Sequence, residues 1–447
     1  MSILTPSDSG YEDARRAAVW NRRIPNQNPD VIVLAETADD VVKAVNDARA
    51  AGRKVSIRSG GHSWSGNHIR QGATLIDLSR MDSIVEINRE AKTAIVEPSC
   101  HGTVLLKELM ALDLFFPVGH CVGVGIGGFL LQGGFGWNSR VYGPACMSVT
   151  AVDVVTADGE LVRADADNHP DLYWAARGSG PGFFGVVTRF HLKLYDRPKA
   201  IVNCAYIYPA EVLEELFTWA GEIGPKVPIQ MEFILLPHFG FDGGKEIPVA
   251  GATFADSEEE AREIAKILET SPVLDKATIA MPYLPAAMED FFGAVHFQYP
   301  DNHRWCPDNM WTHASAAELI PGITEIVRTL PEDPSDTQNF SHLQWMNWGP
   351  NHPDAPERPD MAFSNEDDVF LSAYAAWVDP ALDETHSKWA AERMRDMDHL
   401  STGTQLADEN LAQRPSRFMT DENYSRYDSY KAKYDPENLF HTWWDRP

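Results

Sequence analysis

Apolar positions along this chain recur with two periods, and the changes of period mark its elements. Val31-Ile32-Val33-Leu34 is a short apolar run. Ala38 to Ala51 has helical spacing stopped by Gly52, and Val55-Ser56-Ile57-Arg58 is extended again. Leu75 to Leu78 and Thr93 to Pro98 read as further strands, and Thr103 to Leu114 as a helix. Val149 to Val162 holds two strands about an Asp158-Gly159 turn, a strong hairpin signal. Leu172 to Arg177 is a short helix, and Phe183 to Leu192 is a strand after a Gly/Pro-rich loop. Beyond Arg197-Pro198 the texture changes. Helices over Glu211–Glu222 and Ser257–Glu269 alternate with strands such as Val369–Val378. Aromatic residues crowd this half: Phe291, Phe292, Trp305, Trp311, Trp345, Trp348 and Trp377. They either pack a core or line a cavity for a flat ligand. The tail from Asn423 to Phe440 is helical up to Asp435-Pro436 and is expected to fold back on the first lobe.

A chain of 447 residues exceeds one ordinary core. The expected fold class is α+β, with a first domain over 1–197, a second over 198–408 carrying an antiparallel sheet, and a returning segment over 409–447. The net charge of −27 argues against a general basic field for nucleic acid or anionic membranes. No apolar run is long enough for a transmembrane helix, and Met1 to Trp20 lacks the pattern of a secretory leader. A cytoplasmic bacterial enzyme, monomer or homodimer, is therefore expected. The five cysteines are odd in number and dispersed, with no C-x-x-C pair, so neither a disulfide framework nor a metal site is expected.

Two stretches offer a nucleophile on a glycine-bearing turn: Arg58-Ser59-Gly60-Gly61-His62-Ser63 and Tyr142-Gly143-Pro144-Ala145-Cys146. A histidine and a cysteine so placed can each bond to an organic cofactor. Between them, Gly123-Val124-Gly125-Ile126-Gly127-Gly128 formally matches G-x-G-x-x-G. Gln132-Gly133-Gly134-Phe135-Gly136 follows, and so many glycines make a poor helix. A loop whose N–H groups approach a pyrophosphate suits them better than a dinucleotide-binding helix, with a structural turn as the plain alternative.

These motifs resemble the FAD-linked oxidases of the vanillyl-alcohol-oxidase/PCMH fold, within them the berberine-bridge-enzyme-like group. The resemblance rests on Arg58 to Trp64, Gly123 to Gly136, Gly136 to Cys146, Asp153 to Gly159, Asp171 to Gly178, Phe184-Gly185-Val186-Val187-Thr188, Asn423-Tyr424 and Lys431 to Phe440. It implies an FAD-binding domain over 1–197, a substrate domain over 198–408 and a C-terminal segment packing on the first. It implies FAD joined to His62 and, as in bicovalent members, to Cys146, whose alternative is a plain buried thiol. The residues expected around the flavin are Arg58, Ser59, Gly60, Gly61, Ser63, Trp64, Gly123, Val124, Gly125, Gly127, Gly128, Gly133, Gly134, Gly136, Tyr142, Gly143, Val187, Asn423 and Tyr424. Val124 matches a position that gates dioxygen in the family, and a small side chain there implies an oxidase.

The substrate side departs from the family. Its late-strand tyrosine base is missing, and Gly403-Thr404-Gln405-Leu406-Ala407-Asp408 stands in that place. Gln344, Asn347 and Gln405 can orient a substrate, but amides take no proton. Tyr374 and Asp408 are the candidate bases. The expected reaction removes a hydride from a C–OH or C–N carbon of a small, alkaloid-like molecule and passes the electrons to dioxygen, giving peroxide. A carbohydrate oxidase and a drug- or hydroquinone-binding resistance protein are the alternatives.

Overall fold

In the computed structural model, which describes residues 1–444, the strand–helix–strand signal at the N-terminal end becomes a parallel crossover. Val31–Leu34 and Val55–Arg58 flank Thr74–Asp77 in parallel, and Ser2–Leu4 adds an antiparallel edge. The intervening helix, Ala38–Ala50, starts at a capping box between Thr37 and Asp40. It buries Val41, Ala44, Val45 and Ala48, one stripe at helical spacing.

A second, five-stranded sheet runs antiparallel in the order Ile84–Asn88, Thr93–Val96, Val186–Lys193, Val149–Val155, Leu161–Ala164. Its last pair is the hairpin expected at Asp158-Gly159, with Gly159 at φ 76°. The helix expected over Thr103 to Leu114 runs only from Gly102 to Met110. Asp113 turns left-handed at φ 58°, and Leu114–Phe115 pairs instead with Tyr195–Asp196. The glycine-rich run also differs from the expected loop, because Ile126–Leu131 closes into a short helix behind Gly125.

The second half forms an eight-stranded antiparallel sheet. Ala200–Pro209, Lys245–Ala255, Met231–Leu235, His342–Asn347, Val369–Trp377 and Arg304–Thr312 follow one another across it. Alternate residues of these strands point to opposite faces. Phe233, Leu235, Leu343, Trp345 and Leu371 join the helices Leu213–Ile223 and Ala316–Arg328 in one apolar core. The other face looks back across a cavity at the first two sheets.

The helix Asp421–Tyr434 carries the chain home, and the Tyr427 hydroxyl donates to the Gly182 carbonyl at 2.6 Å. The backbone then clasps Val55: its N–H donates to Leu439 O at 2.8 Å, and its carbonyl accepts from His441 N at 2.8 Å. No helix among the described residues is long and apolar enough to cross a membrane.

Candidate cofactor and substrate site

The strand Val55–Arg58 delivers Ser59 to Trp64 to the rim of a cavity of about 610 Å³. Its glycines are there for contact. A Cβ on Gly60 would lie 2.6 Å from the backbone nitrogen of Gly125, and one on Gly61 would lie 2.3 Å from the Ala18 carbonyl, at φ 73°. Two backbones touch here with no room for a side chain. Arg58 sits beneath, its Nη1 paired with Asp77 at 3.1 Å.

His62 opens on this cavity with its ring stacked 4.6 Å from Trp20. Its Nε2 lies 3.2 Å from the Val122 carbonyl. A carbonyl only accepts, so Nε2 carries the proton and Nδ1 keeps its lone pair. Burial pushes the imidazole down to about 4, which keeps it neutral and nucleophilic near neutral pH.

Cys146 is elsewhere. Its thiol is fully buried 3.7 Å from Met361 Sδ, packed with Phe363, and contributes nothing to the cavity wall. The cysteine that lines the cavity is Cys121. Burial pushes both thiols up to about 12, so acidity does not separate them; access does. Both follow a glycine-bearing turn, and only the fold reveals which turn faces inward.

Of the other residues expected at the cofactor, Ser63, Trp64, Val124, Gly125, Gly127, Gly128, Gly134 and Val187 join Arg58 to Gly61 in the wall. Gly123 lies beside the His62 ring, where a Cβ would sit 3.9 Å from it. Gly133 and Gly136 serve the turn behind it: Gly133 carries the carbonyl that accepts Cys146 N, and Gly136 lies against the Val118 carbonyl. Tyr142 stacks on Tyr195 at 3.9 Å and Gly143 abuts Met147, both outside the cavity wall. Asn423 donates to the Met361 and Ala362 carbonyls, and Tyr424 accepts from Phe418 N, so both brace the C-terminal helix away from the cavity.

The opposite wall belongs to the large sheet. Gln344, Met346, Phe370 and Tyr374 face the cavity. Asn347 does not: it falls on the other parity of its strand, buried near Gly224. Asp408 receives two hydrogen bonds, from Trp64 Nε1 to Oδ1 and from the Tyr374 hydroxyl to Oδ2, both 2.7 Å. The two candidate bases are thus bonded to each other. Burial and the charge of Asp408 push Tyr374 well above the usual phenol range, and burial raises Asp408 too. Gln405 lines the cavity, yet its Oε1 is occupied by the backbone N–H groups of Ala407 and Asp408. Asn309 Nδ2 holds the same loop by donating to the Gln405 and Asp408 carbonyls.

His120, Glu232 and Tyr299 complete this wall and were not expected. The only trace of His120 is its place next to Cys121, just before the glycine run. Glu232 shows only as one charge in the apolar Met231–Leu235.

The cavity suits a large, acceptor-rich ligand. Ser56, Arg58, Asn67, Trp137 and Trp311 of its wall each keep a buried polar atom without a partner. A more open groove of about 770 Å³, against the strand Ile279–Pro285, carries no histidine, cysteine or glycine.

A model of the FAD binding domain matches residues 29–165. The FAD-linked oxidoreductase janO of Penicillium janthinellum is 33% identical over 435 residues, 96% of this chain and 94% of its own. The fold matches 6-hydroxy-D-nicotine oxidase of Arthrobacter nicotinovorans with a TM-score of 0.86 at 23% identity, over 100% of this chain and 97% of that one. It matches the berberine-bridge-enzyme-like protein 28 of Arabidopsis thaliana at 0.85 and 19%, over 98% and 97%. With the glycine cradle, the inward histidine and these likenesses together, the chain belongs to the FAD-linked oxidoreductases and has the fold of the berberine-bridge-enzyme-like proteins.

Proposed function

We propose that the cavity holds FAD attached at both His62 and Cys121, and that the protein is an oxidase of a small, flat, neutral or cationic organic molecule. The carrying observation is that these two nucleophiles open on one cavity behind touching glycine backbones. When bound, the flavin supplies two-electron oxidation of a C–OH or C–N carbon, with dioxygen as acceptor and peroxide as product. In this reading residues 1–197 and 409–447 hold the cofactor, and 198–408 furnish the substrate wall.

The chain's own residues fix the conditions. Ser59, Gly60 and Gly125 offer backbone to the pyrophosphate. Trp64, Tyr299, Trp311 and Phe370 supply flat apolar surface, and Gln344 an amide for orientation. Asp408 and Glu232 make the substrate wall acidic. Among the described residues Arg58 is the only Lys or Arg in the cavity lining, and Asp77 pairs with it. An anionic substrate would meet no countercharge. An amine-bearing heterocycle fits better than a sugar acid, and the structural neighbour named for 6-hydroxy-D-nicotine supports that class. Val124 in the wall leaves a small side chain where dioxygen would approach.

Acid-precipitated protein is expected to stay yellow, with an intact mass raised by one FAD. Cys121→Ala should keep one link and change the flavin spectrum, while Cys146→Ala changes neither. Colourless protein after expression with ample riboflavin would overturn the reading. Oxygen uptake screened with cyclic amines, benzylic alcohols and aldoses separates the substrate classes, and tight binding without turnover would point to sequestration instead.

A further inference from the structure

The cavity face of the large sheet carries one carboxylate among apolar neighbours. Glu232, Ile234 and Leu236 face the cavity at alternate positions, while Met231, Phe233 and Leu235 enter the opposite core. Glu232 is only 1% exposed. A buried carboxylate needs partners, and it has two. Its Oε1 accepts the backbone N–H of Asn138 at 2.5 Å, offered by a left-handed residue at φ 62°. Its Oε2 lies 3.0 Å from His120 Nε2.

This pairing sets the tautomer of His120. Glu232 occupies Nε2, so Nδ1 is the ring's free acceptor. The ring has no other hydrogen-bond partner among the described residues, and Trp137 holds it in an edge contact at 4.3 Å. His120 stands in the cavity wall next to Cys121 and within electrostatic reach of Asp408. Asp408 is a poorer acceptor, because Trp64 and Tyr374 each occupy one of its oxygens.

We propose that His120, oriented by Glu232, is the general base that takes the proton from the substrate's hydroxyl or amine nitrogen. The O–H or N–H bond breaks, the Nδ1–H bond forms, and the electron pair stays on the substrate heteroatom. The imidazolium is then charge-paired with Glu232, and no electron moves between molecules in this step. Glu232 is a positioning residue here. The proposal rests on the cavity being the flavoenzyme site.

The test uses the flavin-bearing protein and 4-nitrophenol, whose absorbance reports its own ionisation. Bound to wild-type protein, the probe is expected to ionise with a constant raised about tenfold over the free value. His120→Gln keeps an amide toward Glu232 but takes no proton, and should return the constant to the free value. Glu232→Gln should remove most of the shift, and this variant carries the test if His120→Gln fails to fold. Asp408→Asn should retain the shift. An unshifted probe on wild-type protein at millimolar concentration, or a shift that survives both His120→Gln and Glu232→Gln, overturns the proposal. So does a shift that Asp408→Asn abolishes. The same spectra separate the two readings. Protein without flavin absorbance contradicts the proposed function, whereas yellow protein with an unshifted probe contradicts only the role of His120.

Discussion

The two walls of the cavity are made of different material. On the side of the small sheets the wall is centred on main chain, with Gly60 against Gly125 and Gly127 against the Pro98 carbonyl. On the side of the large sheet it is side chain: Gln344, Met346, Phe370, Tyr374 and the loop bearing Asp408. A main-chain wall admits no substituent, so it fixes the fit to one ligand. A side-chain wall can be recut residue by residue, and it is where the proposed function puts substrate selection.

The largest expected effect falls on the main-chain wall. Gly125→Val places a branched side chain where even a Cβ would be 2.8 Å from Gly60 N. Flavin content measured by absorbance should drop to background. If the variant binds normal flavin, the contact between the backbones is not what shapes the site.

Next comes the support of the side-chain wall. Arg414, 4% exposed, donates to both oxygens of buried Asp308 and to the Asn309 carbonyl. Arg414→Leu leaves Asp308 buried without its partner, and should cost about 3–5 kcal/mol in urea denaturation. Within the wall, Tyr374→Phe removes one donor from Asp408 and should cost about 1–2 kcal/mol, with flavin content intact.

Acid should loosen the molecule in a defined window. Burial lowers His62, His68 and His441 from 6.5 to about 4. The unfolded chain therefore binds more protons than the folded one between about pH 6.5 and 4. Stability from these groups is present above 6.5 and falls as pH drops through the window. Asp408 and Glu409, raised by burial, act in the opposite sense. The urea midpoint of the flavin-free protein should fall from pH 7 to pH 5, and His68→Gln should flatten that slope. The smallest effect is expected at Asn347→Leu, which lies off the cavity and should leave turnover unchanged while altering stability.

This contrast also explains what could be read from the residues alone. Glycines that touch backbone leave a local trace, so the run from Arg58 to His62 and the cluster from Gly123 to Gly134 stand out in the sequence itself. The side-chain wall is assembled across sheets. Asn347 differs from Gln344 only by strand parity, which a one-residue shift inverts. Asp408 meets Tyr374 and Trp64 through contacts spanning 34 and 344 positions. Cys146 and Cys121 look alike as sequence, because each follows a glycine-bearing turn. Only packing against Met361 removes the first from contention.

The clasp on Val55 has a bearing on biosynthesis. Arg58, His62, His441 and Thr442 all line the cavity, and the first pair leaves the ribosome long before the second. The compartment therefore cannot close until translation has passed Thr442. Capture of the cofactor waits on the clasp, and a product truncated before it would emerge with its chamber still open to water.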